Sequence, residues 1–318
     1  MSVIIPVKNG LKWLSHSLPI FLSQKIQGDF EIIFLDSGST DGLYEYLKKC
    51  NYNNVSYIEI SPATFNHGLT RNIGVSHAKG EYVVFTVQDA KPVDVNWLQH
   101  LLHGFIDEEI VAVCGQQIVP HNLNNNPVMW FRPVHSPSIR KVKLNHSELS
   151  QISPNLLKQY ASWDNVVSCY FKEQLIKYPF KKTSFSEDLE WAKDALLRGQ
   201  ALVYNTNARV EHYHFGHPDY VYNRYMAEVL SKYRIFGVMP QRPLLTLKQF
   251  SSWCKILFMN SQIPFFKKLF WLGHNFNIYR NEKRAYKTFK LLFQNGQIDK
   301  LFEIYNANIP IGDRNLYV

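Results

Sequence analysis

The sequence predicts an α/β protein, with parallel βαβ units flanked by helices and a helical C-terminal extension. Three observations predict it. Short apolar runs alternate with helix-period segments from residue 3 to about residue 119, as in βαβ units whose buried strands read as near-continuous apolar runs. The strand Glu81–Val87 ends on the polar knuckle Gln88-Asp89-Ala90, and open α/β sheets place ligand chemistry just past the carboxyl ends of their strands. Beyond Pro218 the pattern becomes helical, aromatic and basic.

The individual elements follow from local pattern. Val3–Val7 is a buried strand, broken by Asn9-Gly10. Leu11–Gln24 carries apolar residues at 11, 14, 18, 21 and 22, near the helical period, with Pro19 as a kink point. Glu31–Leu35 is a second buried strand. The turn Asp36-Ser37-Gly38-Ser39-Thr40-Asp41-Gly42 then feeds a helix to about Lys49, with Thr40 or Asp41 as its N-cap. Val55–Ile60 is a third strand, Thr70–His77 a helix, Lys79-Gly80 a turn and Glu81–Val87 the fourth strand. Trp97–Phe105 is a helix, and Val111–Val119 a strand with Gly115 inside it. Residues 120–137 are rich in Asn and Pro, which predicts a long surface loop. Residues 155–178 mix short apolar runs with Asp164-Asn165; Glu187–Arg198 is a helix closed by Gly199, and Ala201–Tyr204 a late strand.

Composition narrows the class. A chain of 318 residues holds one large domain or a domain with an appendage. Hydrophobic residues at 46% against 19% charged exclude a disordered chain. The aromatic share of 14% fills a core or offers rings for carbohydrate stacking. Cys50, Cys114, Cys169 and Cys254 are scattered without CxxC or Cys/His zinc spacing, so reduced thiols are expected and a structural zinc is not. The opening MSVIIPV enters a strand directly, without a basic segment and a long apolar stretch, so no signal peptide is expected. No run reaches the ~18 apolar residues that span a bilayer, and a cytoplasmic location is expected.

The net charge of +9 is unevenly placed. Residues 1–223 carry 20 Lys+Arg against 21 Asp+Glu, and residues 224–318 carry 15 against 5. That excess predicts an anionic partner, membrane lipid or nucleic acid. Leu244, Leu247, Phe250, Cys254, Leu257 and Phe258 share one helical face, and Phe265, Phe266, Leu269, Phe270 and Leu272 follow, interleaved with Lys267 and Lys268. Amphipathic helices with cationic rims favour lipid. The alternative is that they pack on the rest of the chain with their lysines in solvent. No recognised nucleic-acid-binding motif is present.

VIIPVKNG at 3–10, IIFLDSGSTDG at 32–42 and FNHGLTRNIGVSHAKGEYVVFTVQDAKP at 65–92 together resemble family 2 glycosyltransferases, whose nucleotide-sugar fold is called GT-A. Within that family the likeness is to the bacterial rhamnosyltransferase-like branch. The resemblance covers roughly residues 1–218, and the order and spacing of its motifs make it specific. It implies a GT-A catalytic domain over 1–218, with a mixed, mainly parallel sheet, and a basic, amphipathic helical region over 219–318.

The same resemblance assigns roles. Asp36 would contact the nucleotide base and ribose, with Pro6 in the same pocket. Arg71, in Arg71-Asn72 followed by Gly74, would stack on the base or bridge the diphosphate; a guanidinium bonded to helix or loop carbonyls is the alternative. His67 has no assigned role. Where GT-A enzymes present a DxD, this chain has Val87-Gln88-Asp89: the first acid is absent and Asp89 is left to hold Mg²⁺ or Mn²⁺. A distant ligand would be His212 or His214 of Val210-Glu211-His212-Tyr213-His214, with His212 preferred; on a strand the two would share a face.

Ser186-Glu187-Asp188-Leu189-Glu190 resembles the element that supplies the base, Asp188, with Glu187 as second candidate. The plain alternative is a pair of acids stabilising a helix dipole. Trp191 lines the acceptor pocket or the core. The activity implied is inverting transfer of a sugar to a cell-surface glycan or lipid-linked glycan acceptor, at the cytoplasmic face of a membrane. The donor would be dTDP-L-rhamnose or a UDP-linked sugar. A non-catalytic nucleotide-sugar-binding scaffold, prompted by the absent acid, and a nucleic-acid-binding protein acting through the basic tail are the alternatives.

Overall fold

A strand that is apolar on both faces needs cover on both sides. β1 (Ser2–Val7) and β2 (Glu31–Asp36) are such strands, and they pair in parallel from Ser2↔Glu31 to Val7↔Asp36. β3 (Val55–Glu59) pairs in parallel with β2, and β4 (Tyr82–Phe85) with the other side of β1. The crossovers are α1 (Leu11–Leu22), α2 (Leu43–Cys50) and α3 (His67–His77). The computed structural model describes residues 1–50, 52–130, 136–183 and 185–306. Residues 131–135 of the expected loop and residues 307–318 of the C-terminal region lie outside the described residues.

Pro19 sits inside α1 without ending it. α3 begins at His67, earlier than the expected Thr70, because Asn66 caps it: Asn66 Oδ1 accepts from Leu69 N–H at 3.2 Å. Gly74 lets α3 lie close on β1 and β2, since a Cβ there would come within 2.7 Å of Ile4 Cγ2 and 3.0 Å of Leu35 Cδ1.

The second half departs from simple alternation. β5 (Lys91–Pro92), α4 (Trp97–Leu102), β6 (Ile110–Ile118), β7 (Ile139–Val142), α5 (His146–Gln151), α6 (Pro154–Tyr160), β8 (Ser168–Phe171), α7 (Lys172–Lys177), α8 (Glu187–Leu197) and β9 (Ala201–Glu211) follow. β8 inserts antiparallel between β4 and β6, and β6 pairs in parallel with β9. The order is β3-β2-β1-β4-β8-β6-β9-β5, with β7 on β9. The sheet is mixed: the longest pairings are parallel, and those made by β5, β7 and β8 are short and antiparallel. Phe21 of α1 and Trp97 of α4 are both buried under it, with their rings edge to face at 5.7 Å.

β9 runs to Glu211 rather than stopping at Tyr204, because β6 shifts register between Cys114 and Gln116 and meets β9 again at Arg209. Strand pairing ends at Glu211, so His212 and His214 lie just past the strand rather than in it. His212 is placed instead by its N–H, which donates to Ile118 O at 3.0 Å.

Two compact units result. The first comprises the described residues of Met1–Ile118 and Val134–His212 and holds the sheet. The second comprises the described residues of Val119–Pro133 and Tyr213–Val318. It contains α9 (Pro218–Phe236), α10 (Leu247–Phe258), α11 (Phe265–Gln294) and α12 (Ile298–Asn306). Its small core packs Val119, Trp130, Leu257, Ile263 and Trp271, and the buried amides of Asn126 and Asn275 bond reciprocally at 2.7 and 3.1 Å. Among the described residues no helix is long and apolar enough to cross a membrane. Leu247 and Phe266 are nevertheless 89% and 83% exposed.

Candidate active site

The carboxyl ends of β1, β2 and β4 lie at one end of the sheet because the three strands are parallel. The loops that follow them are knit together. Asn9, at φ 53°, accepts at Oδ1 from Thr40 N–H (2.8 Å), and its own N–H donates to Ser39 Oγ at 2.8 Å. Asp41 accepts from Leu11 N–H at 2.7 Å and from Leu43 N–H at 3.3 Å, so one carboxylate serves the first residues of both α1 and α2. Across the β1/β4 boundary, Gln88 Oε1 accepts from Lys8 N–H (2.8 Å) while its Nε2 donates to Lys8 O (3.2 Å). The residue in place of an acid is a two-handed clamp on the β1 loop.

Asp36 ends β2 and is 1% exposed. Its Oδ1 accepts from Ser39 N–H (2.8 Å) and Ser39 Oγ (2.9 Å), and its Oδ2 accepts from the Tyr57 hydroxyl. Burial, and then this bond to a carboxylate, push the Tyr57 phenol up. Asp36 therefore holds the turn that follows it, and a nucleotide reaches its carboxylate only if Tyr57 or Ser39 gives way. Pro6 lies near the end of β1, paired with Leu35.

Arg71 lies on α3, and its guanidinium is directed inward. Nη1 meets Glu187 Oε1 at 2.9 Å, with the two side chains 7% and 5% exposed, and also donates to His67 O at 3.1 Å. Burial opposes the charge on Glu187. The Arg71 guanidinium, then His67 and the Asn165 amide at 3.1 Å, outweigh it and hold the carboxyl below the usual range. Both contacts are made through Nη1.

Glu187 and Asp188 open α8, behind Ser186 at φ 65°. A non-glycine residue in the left-handed region is strained, and such residues gather at functional sites. Asp188 Oδ2 accepts from Asn165 N–H at 3.0 Å, and Oδ1 from Leu189 N–H at 2.7 Å. Burial, then the charges of Glu187 and Asp164, push the Asp188 carboxyl up to about 7. Trp191 is buried; its indole N–H donates to Tyr178 O at 2.7 Å and its ring meets Tyr170 edge-on at 4.8 Å. It also borders a cavity of about 200 Å³, between α8 and the segment 177–181, with Glu187 and Arg198 in the wall.

At the end of β4, Asp89 Oδ2 faces His212 Nε2 at 3.5 Å. A carboxylate oxygen beside an imidazole nitrogen is a donor set that fits Mn²⁺. His212 Nδ1 meets Gln117 Oε1 at 2.7 Å, and Gln117 Nε2 donates to Asp164 Oδ2. Sequence reasoning assigned no role to Gln117, Asp164 or Asn165. The signal was present: Gln116-Gln117 follows an apolar run in β6, as Gln88-Asp89 follows one in β4.

The family model described as Glycosyl transferase family 2 matches residues 2–161. The O-antigen chain rhamnosyltransferase RfbN of Salmonella typhimurium (strain LT2) is 29% identical over 228 residues, covering 71% of this chain and 70% of that protein. The O-antigen chain rhamnosyltransferase WbaN of Salmonella anatum is 31% identical over 198 residues, covering 61% of this chain and 60% of that protein. Among solved structures, the mannosyltransferase PcManGT from Pyrobaculum calidifontis, in complex with GDP-Man and Mn²⁺, matches with a TM-score of 0.56. The identity is 16%, over 91% of this chain and 86% of that one. S. aureus TarS 1-349 in complex with UDP-GlcNAc matches with a TM-score of 0.51 at 15% identity, over 93% of this chain and 92% of that one. At these identities the structural matches speak for the fold, which is GT-A.

Proposed function

Since the chain belongs to glycosyl transferase family 2 and is a glycosyltransferase, we propose that it transfers L-rhamnose, with inversion, from dTDP-L-rhamnose to a growing cell-surface polysaccharide. The relatives named as O-antigen chain rhamnosyltransferases support the sugar and the product class. The observation that carries the mechanism is Asp188, a carboxyl pushed to about 7 and fixed at the start of α8. A base works best when its pKa lies near the working pH.

In this reading the acceptor hydroxyl loses its proton to an Asp188 oxygen as the hydroxyl oxygen bonds to the anomeric carbon. The bond from that carbon to the diphosphate oxygen breaks on the opposite face, and dTDP leaves with the electron pair. Glu187 is the second candidate for the base, but its charge is already matched by Arg71; its role is to keep Asp188 high. Asp36 and Pro6 form the nucleotide end of the pocket, and Arg71 supports it through Glu187. Trp191 shapes the acceptor side through packing. Asp89 and His212 would hold Mn²⁺ or Mg²⁺, which would offset the charge of the leaving diphosphate.

The catalytic domain is read as residues 1–218. The region 219–318 is read as resting on an anionic bilayer at the cytoplasmic face, where a lipid-linked acceptor would be met. Exposed Leu247, Met259, Phe265 and Phe266 beside Lys255, Lys267 and Lys268 support that reading.

Calorimetric titration with dTDP, UDP and GDP, each with and without Mn²⁺, tests the donor assignment. Mn²⁺-dependent binding of dTDP that is weakened in Asp89→Ala is expected. Binding of UDP alone would replace the donor, and affinity in Asp89→Ala that responds to Mn²⁺ as the native protein does would remove Asp89 from the cation site.

A further inference from the structure

We propose that Gln117 and Asp164 fix the tautomer of His212, so that Nδ1 carries the proton and Nε2 presents its lone pair towards Asp89. The inference rests on the reading of Asp89 and His212 as cation ligands. It follows from donor and acceptor chemistry along three contacts.

Asp164 Oδ2 is a carboxylate oxygen and accepts only, so the side-chain amide of Gln117 must turn its NH₂ towards it. That leaves Gln117 Oε1, which also accepts only, against His212 Nδ1 at 2.7 Å. Nδ1 must therefore donate, and in the neutral ring the other nitrogen is then the unprotonated one. Nε2 faces Asp89 Oδ2 at 3.5 Å. With the ring neutral, two lone-pair groups face each other there and repel unless a proton or a metal cation is shared between them. A ligating histidine ordinarily has its remote N–H held in this way by a group behind it.

The parts of the relay are held from elsewhere. Gln117 lies on β6, paired with Val210 of β9 just before His212. Asp164 Oδ1 accepts from Val166 N–H at 2.8 Å, which fixes the turn leading into β8. The next residue of that turn, Asn165, donates its backbone N–H to Asp188 and its amide to Glu187. One turn thus positions the cation-side histidine through Asp164 and the base through Asn165. Gln117 and Asp164 are positioning residues and need not touch substrate.

The test is long-range ¹H–¹⁵N correlation on metal-free, ¹⁵N-histidine-labelled protein at about pH 8, above the ordinary imidazole range. His212 is identified by the signals lost in His212→Ala. The native protein should show His212 with Nδ1 protonated. In Asp164→Asn the new amide can donate to Gln117 Oε1, so the Gln117 amide turns, presents NH₂ to the ring, and His212 moves to the Nε2–H form. Gln117→Leu, which keeps the volume but removes both contacts, should mix the two forms. Mn²⁺ affinity, read by electron paramagnetic resonance, should fall about 10- to 100-fold in both variants. An Nε2–H ring in the native protein, or the same tautomer in all three proteins, overturns the proposal. The expected tautomers with no Mn²⁺ binding to the native protein uphold the relay and remove the cation reading.

Discussion

Arg71→Met separates two roles for one guanidinium. Methionine keeps much of the stem but leaves Glu187 buried without its partner at 2.9 Å. Removing one member of a buried pair costs about 3–5 kcal/mol, because the remaining charge is left uncompensated. For a chain of this size that lowers Tm by roughly 6–20 °C, at about 2–4 °C per kcal/mol. The pH dependence has a definite sign. With Arg71 present the folded-state Glu187 carboxyl sits below its usual range, so its contribution is present above the ordinary glutamate pKa and is lost on acidification. Without Arg71, burial, the largest single influence on this carboxyl, is expected to outweigh His67 and Asn165 and raise it, so stability should be lost as pH rises through the new value. The gap in Tm between native and Arg71→Met should therefore narrow as pH falls, and Arg71→Met/Glu187→Met should recover part of it. Thermal unfolding across pH, with dTDP titration at a temperature where each variant is folded, reads both roles. An unchanged Tm with lost nucleotide binding would refute this argument and return Arg71 to the donor.

Asp188→Asn should cut transfer by about 10²- to 10⁴-fold while donor affinity stays native; near-native turnover would remove the base assignment. In the native protein kcat/KM should be level above pH 7 and fall as Asp188 takes up its proton below it, whereas a kcat/KM flat down to about pH 5 would contradict the base. Gln88→Asp restores the paired acids but loses the two bonds to Lys8, so stability should drop by about 1–2 kcal/mol with no gain in Mn²⁺ affinity. A tenfold gain at native stability would show that the clamp is not what the glutamine is for. Flotation with anionic phosphatidylglycerol vesicles should capture the native protein, less so at high salt, and Phe265→Glu/Phe266→Glu should lose capture; equal binding to zwitterionic vesicles would remove the electrostatic part of the reading.

The first half of the fold was legible because its strands pair with near neighbours and carry apolar runs that end on Asp36 and Gln88. The insertion of β8 was not, since nothing local in SCYF specifies that it joins β4 and β6, whose residues lie far away in sequence. The same limit hid the relay: Gln117 and Asp164 are 47 positions apart, and only the β6–β8 pairing brings their elements together. Arg71 and Asp36 were legible as important, but their burial was not. A motif records residue type and spacing, and the direction of a side chain is set by what packs behind it. His212 faces Asp89 from just beyond the end of β9, a closeness that the spacing of the two residues in the sequence does not display.

Asp41 receives the first amides of two helices at once. The loops after β1 and β2 consequently form one mechanical piece, and neither can change length without releasing the other's anchor. Variation by insertion or deletion is therefore costly along this rim, whichever sugar the enzyme carries. Remodelling for a new donor or acceptor has more latitude on segments bound by no such shared post, above all the largely exposed stretch 145–156, whose side-chain hydrogen bonds are local. Anyone re-engineering this protein should leave the Asp41 rim intact and draw diversity from there.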